Sequence, residues 1–343
     1  MTPSGRRPGG LRGRPPTAGA DAGPLRRCHT GRVGRLPVIA IVGATAAGKS
    51  DLAVELALRL GGEVINADSM QLYRGMDIGT AKLSPAERRG VPHHLLDIWP
   101  VRKTATVAEY QRLARPIIED LLARGRAPIL VGGSGLYVRA VLDDLDFPGT
   151  DPEIRARLER ELAETGPAPL YDRLKRLDPV AAEKILPSNG RRIVRALEVI
   201  ELTGRPFSAS LPEYRAVYPS VQIGLAVPRP VLDERIERRV DRMWRAGLVD
   251  EVRALLAEGL AEGRTASRAL GYAQVLRYLS GEWSEEQARE ETIRATRRFA
   301  RRQESWFRRD PRVIWLPFDA PDLAGRALEC VREAAAAPGP TLG

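Results

Sequence analysis

Residues Gly43 to Ser50 read GATAAGKS, which matches the pattern G-x-x-x-x-G-K-[ST] of phosphate-binding loops. A strand-like run, PVIAIVG, precedes the loop, and leucines at helical spacing follow it. Glycines at both ends let successive backbone amides turn toward one anion, Lys49 adds a positive charge, and the Ser50 hydroxyl can hold Mg²⁺. We therefore predict that a diphosphate-like group binds to Gly43, Ala44, Thr45, Ala46, Ala47, Gly48, Lys49 and Ser50.

The sequence lacks two features that usually accompany such a loop in nucleotide-hydrolysing enzymes. A Walker-B acid would end a neighbouring buried strand and hold Mg²⁺ from the other side, but the run PILVGG continues into GGSGLY with no acid. The Asn-Lys-x-Asp pattern of guanine-specific enzymes is also absent, because the only asparagines are Asn66 and Asn189. The sequence therefore disfavours a triphosphate-hydrolysing motor.

An acid does follow a different predicted strand. The segment EVINADS places Asp68 and Ser69 at the carboxyl end of that strand, which is where ligands bind in an open parallel sheet. An aspartate in this position is often only a turn former or a helix cap. The neighbouring phosphate loop favours a functional role, and an ionised carboxylate here could act as a general base.

Four motifs occur along the chain in the order GATAAGKSDLA, DSMQLYRGMDIGTAK, PHHLLDI and PILVGGSGLY. Together with NGRRIVRALEV, RIERRVDRM and RALGYAQ, they resemble the tRNA dimethylallyltransferase family, also called isopentenyl-tRNA transferases, from about Val38 to about Trp315. The sequence has no Cys/His cluster for a C-terminal zinc finger, so it is similar to the bacterial form. The resemblance implies transfer of a dimethylallyl group from dimethylallyl diphosphate to the exocyclic amine of the adenosine 3′ to the anticodon, with release of diphosphate.

The resemblance also implies roles for individual residues. Asp68 corresponds to the base that takes a proton from the adenine amine, and Arg239 to an arginine that faces the diphosphate. Ser134 stands where the family usually has threonine, and it keeps a hydroxyl that could contact the adenosine. Arg235, one helical turn before Arg239, is either a second diphosphate ligand or part of a solvated helix face. Mg²⁺ is the expected cofactor, held through Ser50.

Basic residues and family motifs predict the surface that grips the tRNA anticodon stem-loop. Five arginines, at 294, 297, 298, 301 and 302, recur on one helical face that few acids share, which predicts a positive stripe for phosphates. A surface laced with salt bridges is the alternative. The predicted tRNA-binding residues are Asp68, Ser69, Met70, Gln71, Ser134, Arg155, Arg191, Arg192, Arg195, Arg268, Tyr272, Arg298 and Arg302.

Alternating strand and helix signals predict an α/β fold, a P-loop-type parallel sheet core with a helical insertion domain. The pair Thr106 and Glu109 predicts the start of a helix over 107–124. We divide the chain into a disordered basic tail (1–36), the first part of the P-loop core (37–149), a helical tRNA-binding insertion (150–218), the second part of the core (219–320) and a C-terminal helix and tail (321–343).

The net charge of +10 is concentrated at the N-terminus, because residues 1–36 contain eight arginines and a single aspartate. The tail could be an RNA-touching arm, a transit peptide, a solvated tail or the product of a start codon assigned too early, so the charge alone is weak evidence for nucleic acid. No run is apolar enough to span a membrane and no secretory signal is recognisable. Cys28 and Cys330 suggest neither a disulfide nor a zinc site. We expect a cytoplasmic monomer.

Two other functions are alternatives to a prenyltransferase. A P-loop kinase for a small metabolite or nucleoside would explain the phosphate loop and Asp68, but not the arginine-rich helix. An RNA-binding NTPase without covalent chemistry would explain the arginines, but the missing Walker-B acid disfavours it. Phosphate transfer from labelled ATP would identify the first, and RNA-stimulated ATP hydrolysis the second.

Overall fold

The computed structural model describes residues 36–210 and 214–336. The predicted basic tail therefore lies outside the described residues, apart from its last one, and so do Cys28 and the end of the C-terminal tail. Within them, six strands form one parallel sheet: β1 (Val38–Val42), β2 (Glu63–Asn66), β3 (His93–His94), β4 (Pro128–Val131), β5 (Ser220–Ala226) and β6 (Val313–Pro317). The predicted α/β fold with a parallel sheet is confirmed. The two-residue strand β3 was not predicted.

The strand order across the sheet is β3-β2-β4-β1-β5-β6. Strand β4 lies between β2 and β1, with Ile129 in register with Val64 on one side and Ile39 on the other. Because all strands are parallel, the loops that follow β2, β4 and β1 lie side by side at one edge of the sheet.

Helices cover both faces of the sheet, since successive β1 residues enter two different cores. Val38, Ala40 and Val42 join one buried cluster, and Ile39 and Ile41 join the other. The first helices are α1 (Lys49–Leu60), α2 (Val107–Ala123) and α3 (Gly135–Leu142). The Thr106 side chain accepts a hydrogen bond from the Glu109 amide at 3.2 Å, so the predicted start of α2 is confirmed.

The segment 150–210, which lies within the predicted insertion (150–218), contains the helices α4 (Pro152–Thr165), α5 (Pro167–Leu177), α6 (Pro179–Lys184) and α7 (Gly190–Thr203). These helices share a core of their own, which includes Leu158, Leu170, Leu174, Ile193 and Leu197. Asp151 caps α4 and Asn189 caps α7 through their side-chain oxygens. The tRNA-binding role of this insertion stays a prediction.

After β5 the chain forms α8 (Arg229–Arg245), α9 (Leu248–Ala257), α10 (Tyr272–Leu279), α11 (Glu285–Phe307) and, after β6, α12 (Leu323–Ala336). Helix α11 packs against α3, α8 and α10, which brings it beside the edge of the sheet where the phosphate loop lies. Among the described residues, no helix is both long enough and apolar enough to cross a membrane.

Candidate active site

The phosphate loop joins β1 to α1, and its backbone uses conformations that suit glycine. Gly43 and Gly48 have φ angles of 126° and 99°, in the region that residues with a Cβ rarely adopt. Lys49 is the first residue of α1, and its Nζ donates a hydrogen bond to the Ala44 carbonyl at 2.7 Å. The lysine therefore folds back over the loop, with its charge at the N-terminus of the helix.

Lys49 and Arg239 place two partly buried cations in the same region. Burial and, to a smaller extent, the nearby Arg239 lower the pKa of Lys49 to about 8, and the negative charge of Asp68 opposes both effects. Burial also lowers the pKa of Arg239, again against the influence of Asp68. Two cations held away from water favour the binding of an anion, because its charge would relieve their mutual repulsion.

Asp68 is held at the end of β2 by a turn that Asn66 organises. The Asn66 side chain accepts from the Asp68 amide at 2.9 Å and donates to the Asp68 carbonyl at 3.0 Å. One carboxylate oxygen of Asp68, Oδ1, accepts from the Met70 amide at 2.9 Å. No described residue hydrogen-bonds to its Oδ2, so that oxygen is available to accept a proton.

Ser134 lies in the loop after β4, immediately before α3. Its Oγ is 3.5 Å from the Oγ of Ser69, so the loop after β4 contacts the loop after β2. Gln303 of α11 joins this region to the phosphate loop, because its Oε1 accepts from the Thr45 amide and its Nε2 donates to the Gly133 carbonyl, both at 2.9 Å. Sequence reasoning missed Gln303, since nothing in an arginine-rich helix marks one glutamine as buried.

Two cavities adjoin these loops. The first, the Asp68 cavity, has a volume of about 540 Å³ and combines polar and apolar lining residues: Asp68, Ser134, Arg239, Tyr137, Phe299 and Trp306. The second, the arginine cavity, has a volume of about 930 Å³ and is lined by Gly48, Lys49, Ser50, Arg235, Arg239 and Arg242. Arg239 and Met243 line both cavities, so the two spaces meet at these side chains.

Arg239 and Arg235 project from α8 toward the phosphate loop. Arg239 donates to the Thr80 carbonyl at 3.2 Å, and Gln71 donates to the same oxygen at 3.2 Å. The guanidinium of Arg235 lies 5.0 Å from the centre of the Phe318 ring, and its buried Nη1 has no hydrogen-bond partner among the described residues. A buried donor without a partner is costly, which favours an anion beside Arg235 over a purely solvated helix face.

The residues near Ser50 fit a magnesium ion that substrate oxygens also bind. Ser50, Asp51 and Asp77 line the arginine cavity, and their hydroxyl and carboxylate oxygens are hard donors of the type that Mg²⁺ prefers. Residues 36–210 and 214–336 contain no group of three or more His, Cys, Asp or Glu that could hold a metal alone. The donor set therefore fits Mg²⁺ bound together with a diphosphate.

The structure separates the predicted tRNA-binding residues of the insertion. Arg155 and Arg195 both pair with the buried carboxylate of Glu198, so each already has a structural partner. Arg191 and Arg192 are exposed, and no partner for either side chain is found in the described part of the chain. Of these four arginines, only Arg191 and Arg192 have exposed guanidinium groups without an ion-pair partner in the described residues.

Tyr272 is fully buried, and its hydroxyl donates to Glu251. Glu251 also accepts from the amides of Asp77, Ile78 and Gly79, so the tyrosine and the glutamate together support the loop that carries Thr80. The prediction that the Tyr272 side chain contacts tRNA needs correction, because burial leaves this side chain inaccessible. Arg268, in contrast, is exposed and lines the Asp68 cavity.

The arginines of α11 do not form the unpaired stripe that the sequence suggested. Arg294 and Arg298 both pair with Glu291, and Arg297 pairs with Glu237 of α8. The expectation that few acids share this face is therefore wrong. The last two arginines differ: Arg301 is exposed without a partner in the described residues, and Arg302 lies over the Phe299 ring and lines the Asp68 cavity.

Comparisons with known proteins agree on one family. Residues 71–310 match the family model described as IPP transferase. The chain is 72% identical to the tRNA dimethylallyltransferase of Thermobifida fusca, over 86% of this chain and 94% of that protein. It is 74% identical to the enzyme of the same name from Streptomyces coelicolor, over 81% of this chain and 89% of that protein.

Solved structures of tRNA-modifying enzymes have a similar fold. The tRNA isopentenylpyrophosphate transferase of Bacillus halodurans is 42% identical, with a TM-score of 0.65 over 88% of this chain and 98% of that chain. A eukaryotic dimethylallyltransferase described as acting on tRNA is 27% identical, with a TM-score of 0.73 over 88% of this chain and 78% of that chain.

Proposed function

Because the chain belongs to the IPP transferase family, we propose that it transfers a dimethylallyl group from dimethylallyl diphosphate to tRNA. The acceptor is the exocyclic amine of the adenosine 3′ to the anticodon, and diphosphate is released. One observation carries the assignment of the chemistry to this site: Asp68 and the phosphate loop open onto two cavities that meet at Arg239. A base and a leaving-group site therefore adjoin each other.

The phosphate loop, Lys49 and Arg239 are proposed to hold the diphosphate of the donor. When the bond between the allylic carbon and the diphosphate oxygen breaks, negative charge grows on the departing oxygen. Loop amides and the two partly buried cations are proposed to stand in advance where that charge develops, so that they stabilise the transition state without reorganising. Arg235 is proposed to add a further donor, because its buried Nη1 lacks a partner in the described structure. When bound at Ser50, Mg²⁺ would supply additional neutralisation of the leaving group.

Asp68 is proposed to act as general base on the acceptor. The adenine amine is a weak nucleophile because its lone pair is delocalised into the ring. As the bond from nitrogen to the allylic carbon forms, one amine proton passes to Oδ2 of Asp68, which no described residue occupies. The proton then leaves to solvent, and the products are the dimethylallylated adenosine and diphosphate. The Ser134 Oγ, which lies 3.5 Å from the Oγ of Ser69, is proposed to hydrogen-bond to the same adenosine.

The Asp68 cavity suits an adenosine that has left the anticodon stack. A base can be reached by an enzyme only when it is extruded from its neighbours. Tyr137, Phe299 and Trp306 line this cavity and offer ring surfaces for stacking. Arg268 and Arg302 line it too, and their guanidinium groups are proposed to contact tRNA phosphates.

The test is incubation of the protein with labelled dimethylallyl diphosphate, Mg²⁺ and a tRNA transcript, followed by nucleoside analysis. We expect label in one adenosine, that 3′ to the anticodon. The matched control is a transcript with guanosine at this position, which has a carbonyl oxygen at C6 in place of the 6-amine of adenosine and should take up no label. Label in neither transcript, together with phosphate transfer from labelled ATP to a nucleoside, would favour the P-loop kinase instead.

A further inference from the structure

The side-chain amide of Gln303 connects the two loops on which the proposed reaction depends. It accepts from the Thr45 amide in the phosphate loop and donates to the Gly133 carbonyl in the loop that carries Ser134, each at 2.9 Å. Gln303 is 6% exposed, so these bonds are largely shielded from bulk water. One planar group of fixed length therefore connects the phosphate loop to the loop after β4 that carries Ser134, which we call the acceptor loop.

Helix α11 lies so close to the acceptor loop that Gly133 and Gly135 have no space for a side chain. A Cβ on Gly133 would overlap Nε2 of Gln303, and a Cβ on Gly135 would overlap the ring of Trp306, one helical turn farther along. The absence of side chains at these two glycines thus leaves space for Gln303 and Trp306 of α11. The position of this helix is fixed against the acceptor loop at both places, and Gln303 extends that constraint to the phosphate loop.

We propose that Gln303 is a positioning residue that sets the distance between the diphosphate and the adenosine, an inference that rests on the transfer reaction proposed above. Both ends of its amide bond to backbone, so this group supports the two loops, and the side chain also lines the Asp68 cavity. Bond formation requires the amine nitrogen and the allylic carbon to be aligned, and a displacement of about 1 Å can cost about 10²-fold in rate. Loss of Gln303 should therefore lower kcat far more than it raises the KM of either substrate.

The experiment compares Gln303→Met with the matched control Gln111→Met. Gln111 lines neither cavity, and its Nε2 donates to the carbonyls of Ala140 and Leu145 at 2.8 and 2.9 Å. Each substitution removes two hydrogen bonds to backbone, so we expect each to lower the melting temperature by roughly 2–6 °C. We expect Gln303→Met to lower kcat about 10- to 100-fold with both KM values within about threefold of wild type, whereas Gln111→Met keeps wild-type kcat.

Gln303→Asn provides a second variant, because it keeps the amide but is one methylene too short to reach both loops. We expect it also to lower kcat at least about 10-fold. If Gln303→Met and Gln303→Asn turn over like Gln111→Met, or if they act only through KM, Gln303 has no positioning role. Failure of the proposed reaction would look different, because the wild-type protein itself would then leave tRNA unlabelled.

Discussion

The lowered pKa of Lys49 predicts how use of dimethylallyl diphosphate depends on pH. In the unliganded protein, burial and Arg239 lower this pKa to about 8. The proposed role of Lys49 requires its ammonium group. As pH rises through about 8, the free enzyme loses this charge, and capture of the diphosphate should weaken.

The expected size of the effect follows from the pKa. With a value of about 8, roughly 90% of Lys49 is protonated at pH 7 and roughly 10% at pH 9. The parameter kcat/KM for dimethylallyl diphosphate, measured at saturating tRNA, reports the enzyme form that has not yet bound the diphosphate, so it should fall about tenfold over this interval. A bound diphosphate raises the lysine pKa by its negative charge, so kcat should fall much less.

The assay measures both parameters between pH 6.5 and 9.5 for the wild type and for Lys49→Arg. Because an arginine side chain stays protonated throughout this range, the alkaline decline in kcat/KM should disappear in the variant, whatever its absolute activity. A wild-type kcat/KM that stays flat up to pH 9, or an equal decline in Lys49→Arg, would refute the assignment of this ionisation to Lys49.

Four further substitutions test the other proposed roles. Asp68→Asn should lower kcat about 10²-fold or more while the Kd for tRNA in filter binding changes little, and near-normal turnover would remove Asp68 from the mechanism. Arg235→Met should raise the KM for dimethylallyl diphosphate and leave that for tRNA unchanged; equal effects on both would indicate a general structural role. Arg302→Glu should raise the KM for tRNA and reduce the slope of log affinity against log salt by about 0.7 to 0.9 per lost contact. Arg298→Glu should do less, because Arg298 already pairs with Glu291, and the reverse order would contradict this interpretation.

Structural features that are determined by residues close together in the sequence could be predicted from the sequence alone. Strands β1, β2 and β4 and the start of α2 follow from apolar runs and from one capping pair, and each of these signals lies within a few residues of the feature it specifies. The phosphate loop belongs to the same class, because its glycines, lysine and serine are contiguous. Strand β3 could not be found in this way, since two residues carry no detectable periodicity.

Charged residues were the least predictable part of the site, because their partners come from elsewhere in the fold. Arg297 is neutralised by Glu237 from a different helix, which no inspection of α11 alone could reveal. Glu291, by contrast, lies three residues before Arg294 on α11, so the i, i+3 spacing of the sequence is sufficient to predict this pair. Similarly, the motif around Tyr272 does not predict which of its side chains are buried and which are exposed.

The strand order supplies what the motifs could not, namely which loops are neighbours. Parallel strands place all their following loops at one edge, but Asp68 and the phosphate loop could still have been separated by the width of the sheet. The order β2-β4-β1 leaves one strand between them, and the loop after that strand carries Ser134. Helix α11 then closes the gap, because Gln303 bonds to both the phosphate loop and the loop after β4. The distance between the proposed base and the proposed diphosphate site is thus a property of tertiary structure, which depends on strand order and, in our proposal, on Gln303.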